Sequence, residues 1–183
     1  MHPSFNEFIN KMTQLVSSAK NDEEKILSQG ERFLADLVAQ DNWLPEEFAK
    51  PHPDYYQQYL LYSAPDKSFS VVSFVWGPGQ STPVHDHTVW GLIGMLRGSE
   101  IEESYKLGDL GQPVKKLGTQ QLNPGDVGKV SPTIGDIHKV SNAYDDRVSI
   151  SIHVYGADIG EVSRHVFNEN TSESKTFISG YAN

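Results

Sequence analysis

The chain has 183 residues and a net charge of −9, enough length for one domain around a single sizeable core. Its acidity argues against general affinity for nucleic acid or anionic membranes, and the absence of cysteine excludes disulfides and thiolate metal sites alike. Met1-His2-Pro3-Ser4 starts no apolar signal region and no apolar run approaches a membrane span, so the expected setting is cytoplasmic.

From Ser4 to about Gln40 the apolar residues recur at helical spacing. Phe5, Phe8, Ile9, Met12, Leu15, Val16 and Ala19 predict one inward stripe, and Ser4 with Glu7 has the form of a capping box. A second helix from about Asp22 turns Ile26, Leu27, Phe33, Leu34, Leu37 and Val38 inward. Gly30 weakens it by roughly 1 kcal/mol relative to alanine. A short helical turn is expected at Pro45, with Glu46 and Glu47 at its positive end.

Beyond Gln57 the rhythm becomes that of strands: Gln58–Ser63, Phe69–Trp76, Val89–Leu96, Glu100–Leu107, Val114–Leu122, Gly128–Val130, Ile137–Ser141, Val148–Tyr155 and Val162–Phe167. Turn sequences such as Gly77-Pro78-Gly79 and Asn123-Pro124-Gly125-Asp126 separate them. Short strands at this spacing predict an antiparallel barrel or jelly roll, with the helices covering one side. The expected organisation is a single domain over 1–183: helices in 1–50, a β-barrel in 55–168, and a tail in 169–183 that wraps the surface.

The chemistry begins with His85-Asp86-His87, in the frame Gly79-x5-His85-x-His87-x3-Gly91-x6-Gly98. Two histidines at i and i+2 on a strand share a face and can converge on one metal ion. His138, in Pro132-x-x-Gly135-x-x-His138-x3-Asn142, is the third candidate, because closing a small barrel brings separate strands to a common interior. Gly91 stands where a carboxylate ligand would be expected, so the shell reads as three neutral imidazoles. Such a set suits iron, zinc, copper or nickel, and ligand type alone does not choose among them. His2, His52 and His165 read as surface or hydrogen-bonded histidines, and Glu100-Ile101-Glu102-Glu103 as a solvated strand edge. Asp86 is expected to face away from its neighbours and support the turn or an adjacent strand, and Asn142 to hydrogen-bond neighbouring backbone near His138. Ser151, His153 and Tyr155 share one face of a strand, which on its own reads as an ordinary solvated polar face.

The two histidine motifs together resemble the signature of the cupins, and Thr82–Gly98 (TPVHDHTVWGLIGMLRG) is similar to the thiol dioxygenases of the cysteine dioxygenase family. The resemblance spans roughly Tyr55 to Phe167. It implies a mainly β cupin, a double-stranded β-helix with N-terminal helices packed outside. It further implies one Fe(II) per chain held by His85, His87 and His138, where a thiolate and O2 meet and both oxygen atoms enter the sulfur to give a sulfinate. By similarity, Ser151, His153 and Tyr155 form a relay, with the Tyr155 hydroxyl presented to substrate or oxygen. The tyrosine–cysteine crosslink of the mammalian type cannot form, since Gly91 falls at the cysteine's place. Gln58 stands where that type has a carboxylate-gripping arginine, which resembles the 3-mercaptopropionate dioxygenases, and Arg164 matches an arginine lining their site. The implied reaction is oxidation of 3-mercaptopropionate to 3-sulfinopropionate, its partners being a small thiol carboxylate and O2. The alternatives are cysteine or cysteamine as substrate, a non-thiol cupin dioxygenase, or a cupin that binds metal without turnover.

Overall fold

The computed structural model describes residues 2–20 and 22–183; Met1 and Asn21, within the expected helical segment 1–50, lie outside the described residues. Helix α1 (Pro3–Ala19) starts two residues before the place the capping-box spacing predicts. Pro3 is preorganised for the first turn and needs no partner for an N–H, so the cap falls to His2, whose ring accepts from Ser4 N at 3.3 Å. Glu7 pairs along the helix with Lys11 instead. Helix α2 (Glu23–Val38) is capped by Asp22, which accepts from Lys25 N at 3.0 Å. Gly30 is a close contact as well as a weak point: a Cβ there would sit 2.7 Å from Leu92 Cδ1. A single 3-10 turn, Glu46–Phe48, follows Pro45.

The strands are β1 (Gln57–Ser63), β2 (Ser70–Trp76), β3 (Val84–His85), β4 (Gly91–Arg97), β5 (Glu100–Lys106), β6 (Lys115–Leu122), β7 (Val127–Val130), β8 (His138–Asn142), β9 (Ser149–Tyr155), β10 (Arg164–Phe167) and β11 (Ser174–Phe177). They form a five-stranded sheet in the order β1-β2-β9-β4-β7 and a six-stranded sheet in the order β11-β10-β3-β8-β5-β6, with antiparallel pairing throughout, as in β2–β9 and β5–β8. This is the expected double-stranded β-helix of the cupins, with the helices outside. The expected strands are all present within a few residues. Two more appear: β3, too short to show a pattern, and β11, a polar segment that gains its order by pairing with β10.

The helices pack on the outer face of the five-stranded sheet, where Phe5, Phe8, Met12 and Leu34 meet Leu92, Ile150, Ile152 and Val154. Ile9, Val16 and Phe33, expected inward, sit at the margin and are only partly buried. Strand β9 is central and buried along its whole length. Its branched residues take the helix side, so Ser151, His153 and Tyr155 turn toward the space between the sheets, and the solvated-face reading of this strand is overturned. The acidic run is corrected too. Strand β5 lies between β8 and β6 and not at an edge, and Glu100 and Glu102 point inward, 0% and 6% exposed. Among the described residues no helix is long and apolar enough to cross a membrane.

Gly94 sets the approach of α2 to β4, because a Cβ there would sit 2.7 Å from Leu34 Cγ. Gly94→Ala is expected to lower the unfolding free energy by about 1–3 kcal/mol. The reading is a lower urea midpoint with an unchanged slope; a wild-type midpoint would show that this contact yields at no cost.

Candidate metal centre and substrate pocket

His85 and His138 are direct register partners where β3 meets β8. That pairing explains how residues so far apart in the chain meet. His87 arrives differently. Strand β3 ends at His85, so the expected strand alternation does not carry on to His87. Asp136 places it instead: its carboxylate accepts from His87 N at 3.0 Å and from Thr88 N at 2.8 Å, while the chain turns through Thr88 at a φ of 62°. The result is a buried cluster in which ligand atoms of His85, His87 and His138 all lie within 4.8 Å of one another.

Each ring is held from behind through Nδ1. His85 Nδ1 faces Pro83 O at 3.0 Å, His87 Nδ1 faces Asp136 Oδ1 at 3.0 Å, and His138 Nδ1 faces Glu102 Oε1 at 2.7 Å. A carbonyl or carboxylate oxygen can only accept, so each Nδ1 carries the hydrogen and each Nε2 keeps a free lone pair. His87 Nε2 is buried without any partner, a vacancy in hydrogen bonding that a metal ion would satisfy. Burial, reinforced by the electrostatic influence of the neighbouring rings, holds His85 and His87 well below the ordinary histidine pKa. They are therefore neutral, as metal binding requires. Burial pushes the Glu102 carboxyl upward, but the pull of His138 and the Gln120 amide outweighs it and leaves the pKa below its usual value. Burial raises Asp136, against the backbone N–H groups of Thr88 and His87. The donor set fits a three-coordinate protein shell with positions left for other ligands.

Beside the ligands runs a continuous hydrogen-bonded line. Tyr155 OH lies 2.7 Å from His153 Nδ1, and His153 Nε2 lies 2.8 Å from Ser151 Oγ. The Tyr155 ring stacks on His87 at 5.4 Å between centroids, and His153 stacks on Phe74 at 4.1 Å. Burial raises the Tyr155 phenol and lowers His153 well below its ordinary value, so both are neutral. Trp76, on the neighbouring strand β2, donates from its indole to Ser151 Oγ at 3.1 Å. Gly91 leaves room for the phenol, since a Cβ there would meet the Tyr155 ring at 3.0 Å.

A cavity of about 270 Å³ opens beside His85, walled by Tyr56, Gln58, Phe74, Arg164, Phe177 and Ser179 among others. Arg164 is 3% exposed. Its Nη2 donates to Ser179 Oγ at 2.9 Å, its Nε has no partner, and its guanidinium lies 4.7 Å from the centroid of the Phe177 ring. Burial lowers its pKa from a very high starting point, and the group keeps its charge. Gln58 is differently engaged from the expectation. Its amide nitrogen donates to Ser179 Oγ at 3.1 Å and to Gly180 O at 3.0 Å. Both N–H groups are spent on the tail, so Gln58 braces the pocket wall and has none left for a substrate.

Residues 2–168 match the family model described as cysteine dioxygenase type I. The chain belongs to this family. Among solved structures it is similar to an uncharacterized conserved protein with a double-stranded β-helix domain from Klebsiella pneumoniae subsp. pneumoniae MGH 78578, at 16% identity over 75% of this chain and 97% of that one, with a TM-score of 0.46. A cupin superfamily protein from Desulfitobacterium hafniense DCB-2 matches at 17% identity over 65% of this chain and 94% of that one, with a TM-score of 0.45. Membership of the family supports a thiol dioxygenase type of activity.

The residues expected to hold metal, form the relay and line the pocket fall in one neighbourhood: His85, His87 and His138 at the centre, Ser151, His153 and Tyr155 along one side, Arg164 and Gln58 at the cavity. Asp86 supports an adjacent strand, accepting from His165 N at 2.8 Å, and Asn142 donates to the Trp76 and Gly77 carbonyls. Sequence reasoning missed Glu102, Asp136, Glu100 and Ser179. Asp136 lies in the Gly135–His138 motif itself, a signal that was readable; the alternation of β5 puts Glu100 and Glu102 on one face but does not say which way that face points. Ser179 carried none. His138→Ala is expected to abolish metal retention, and Glu102→Gln to weaken metal affinity about 10- to 100-fold by softening the support behind His138. Competition with a chelator under anaerobic conditions measures both; an unchanged affinity in Glu102→Gln would reduce the carboxylate to a packing role.

Proposed function

We propose that this chain is an Fe(II)-dependent thiol dioxygenase, with one iron per chain, that adds both atoms of O2 to the sulfur of 3-mercaptopropionate and yields 3-sulfinopropionate. Family membership and the three-imidazole cluster support the reaction class. His85, His87 and His138 would hold the iron, which with three neutral ligands keeps about two positive charges, draws an anionic thiolate, lowers its pKa and supplies the O2 chemistry. The chain's own residues then define the substrate. A short thiol reaching from the histidine cluster into the cavity beside His85 places its far end among Arg164, Ser179 and Tyr56. Arg164 offers a buried charge with an unspent Nε–H, suited to a carboxylate. Tyr155, stacked on His87, stands where its hydroxyl can orient the reacting group.

The observation that carries the substrate choice is the charge of the wall: one guanidinium and no carboxylate among the cavity's lining residues. The α-ammonium of cysteine would find no counter-ion there, whereas 3-mercaptopropionate brings none. Cysteine is the second reading, favoured by one detail: with its amide N–H groups held by Ser179 and Gly180, Gln58 keeps a carbonyl oxygen able to accept from an ammonium.

Oxygen-electrode assays of anaerobically iron-loaded protein test both. The expected order is 3-mercaptopropionate above cysteine, with cysteamine poor because it lacks the carboxylate. Arg164→Gln is expected to raise KM for 3-mercaptopropionate roughly 10- to 100-fold, the value of one charge-assisted hydrogen bond of about 1.5–3 kcal/mol. A much higher kcat/KM with cysteine would overturn the substrate assignment, and no O2 uptake with any thiol would overturn the reaction.

A further inference from the structure

Strand β5 brings Glu100 to the inner end of the Tyr155–His153–Ser151 line. Its side chain is wholly buried; Oε1 hydrogen-bonds Ser151 Oγ, and Oε2 has no partner. It belongs neither to the three-histidine cluster nor to the pocket wall.

Donor and acceptor bookkeeping at Ser151 shows what Glu100 controls. The hydroxyl has one hydrogen and two lone pairs, and it faces Trp76 Nε1, His153 Nε2 and Glu100 Oε1. The indole can only donate, which leaves one acceptor and one donor position for the other two. When Glu100 is ionised it can only accept, so Ser151 donates to it and His153 Nε2–H donates to Ser151. His153 Nδ1 must then accept, and the Tyr155 hydrogen points at His153. When Glu100 is protonated every bond reverses. Glu100 donates to Ser151, Ser151 to His153 Nε2, and His153 Nδ1–H to the Tyr155 oxygen, which frees the phenol hydrogen for the pocket.

We propose, on the thiol reading given above, that Glu100 is the terminal proton acceptor of this relay, taking up the proton the substrate thiol releases and thereby turning the Tyr155 hydroxyl into a donor toward the bound substrate. The S–H bond breaks and its electron pair stays on sulfur as the thiolate. The proton forms an O–H on Tyr155, the original Tyr155 hydrogen passes to His153 Nδ1, the Nε2 hydrogen passes to Ser151, and the Ser151 hydrogen passes to Glu100. The net change is thiol plus carboxylate to thiolate plus carboxylic acid, and neither His153 nor Tyr155 ends charged.

The surroundings of Glu100 agree with this role. Burial raises its carboxyl to about 7; the hydrogen bond from Ser151 and the nearby Trp76 indole N–H, itself donated to Ser151, oppose the rise, and repulsion from Glu102 adds to it. The titratable groups that act on it are Glu102 on its own strand and Tyr155 on β9, with His153 from β9 and Trp76 from β2 bonded to the same Ser151 hydroxyl. Its register partners Leu122 on β6 and Asn142 on β8 are uncharged. Because the ionised form is the one that accepts, kcat/KM for the thiol should rise with pH through this midpoint.

Two measurements test the proposal. In metal-free protein, difference infrared spectroscopy should show a protonated-carboxyl stretch that titrates near neutrality and is absent in Glu100→Gln. In iron-loaded protein without O2, binding of 3-mercaptopropionate just above that midpoint should release less than one proton per thiol in the wild type and a full proton in Glu100→Gln. Tyr155→Phe, which cuts the entrance of the relay, should also release a full proton while retaining the infrared band, and it serves if Glu100→Gln fails to fold. A carboxyl that titrates only near the ordinary value of about 4.3, or equal proton release by wild type and variants, would overturn the role of Glu100. Should the band titrate near neutrality while the wild type binds and oxidises no thiol, the thiol reading falls and the base role with it. Thiol oxidation without the band would refute the relay's terminus alone.

Discussion

The site depends on the hydrogen bonds behind the three imidazoles. A bare cluster of histidines would be free to choose tautomers and to rotate, and each choice would point a different nitrogen inward. Here a carbonyl and two carboxylates, from Pro83, Asp136 and Glu102, take the Nδ1 hydrogens, and three Nε2 lone pairs are left to converge. Three neighbouring strands of the six-stranded sheet supply these backing atoms at fixed places: the approach to β3, the turn before β8, and the inner face of β5. With Gly91 in place of a carboxylate ligand, negative charge is absent from the histidine cluster itself and reappears one layer out, on Asp136 and Glu102. A cation at the centre would feel those charges through the rings. An anionic ligand on the open side would approach without meeting them directly.

Strand β9 shows how one buried strand serves two purposes. Its branched residues fill the interface with the helices, and its polar residues cross the space between the sheets. Neither face reaches water, so every hydroxyl and ring nitrogen on it must find a partner inside the protein. That requirement produces a continuous line in which each donor's direction depends on the next. A half-satisfied line of this kind would be costly, and along it only Oε2 of Glu100, among the described residues, is left without a partner.

The sequence made the framework legible because alternation and turn chemistry are local properties. Helix faces, strand order along the chain and the convergence of His85 with His138 followed from spacing and from what a closed β fold does to distant strands. What stayed hidden depended on partners remote in sequence. Glu100 and Glu102 read as solvent-facing because acidic residues on a strand are usually exposed, and only the neighbours β8 and β6 show that β5 is interior. The capping box failed because Pro3 competed for the same turn. Gln58 was readable as a pocket residue but not as a brace, since its partners Ser179 and Gly180 lie in a polar tail with no periodicity, beyond the residues that match the family model.

The pairing of His85 with His138 has a consequence for how the molecule assembles. The two residues stand 53 positions apart (138 − 85) and meet only through the register of β3 with β8. Contacts of such long range form only once the entropy of closing the intervening loop has been overcome. A partly folded chain therefore presents separate histidines to its surroundings and no chelating set. An ion that then joins both strands acts as a clasp on that loop, favouring the folded chain over the unfolded one in proportion to how far its concentration exceeds its dissociation constant. Pairing of these two strands and assembly of the chelating set are the same event.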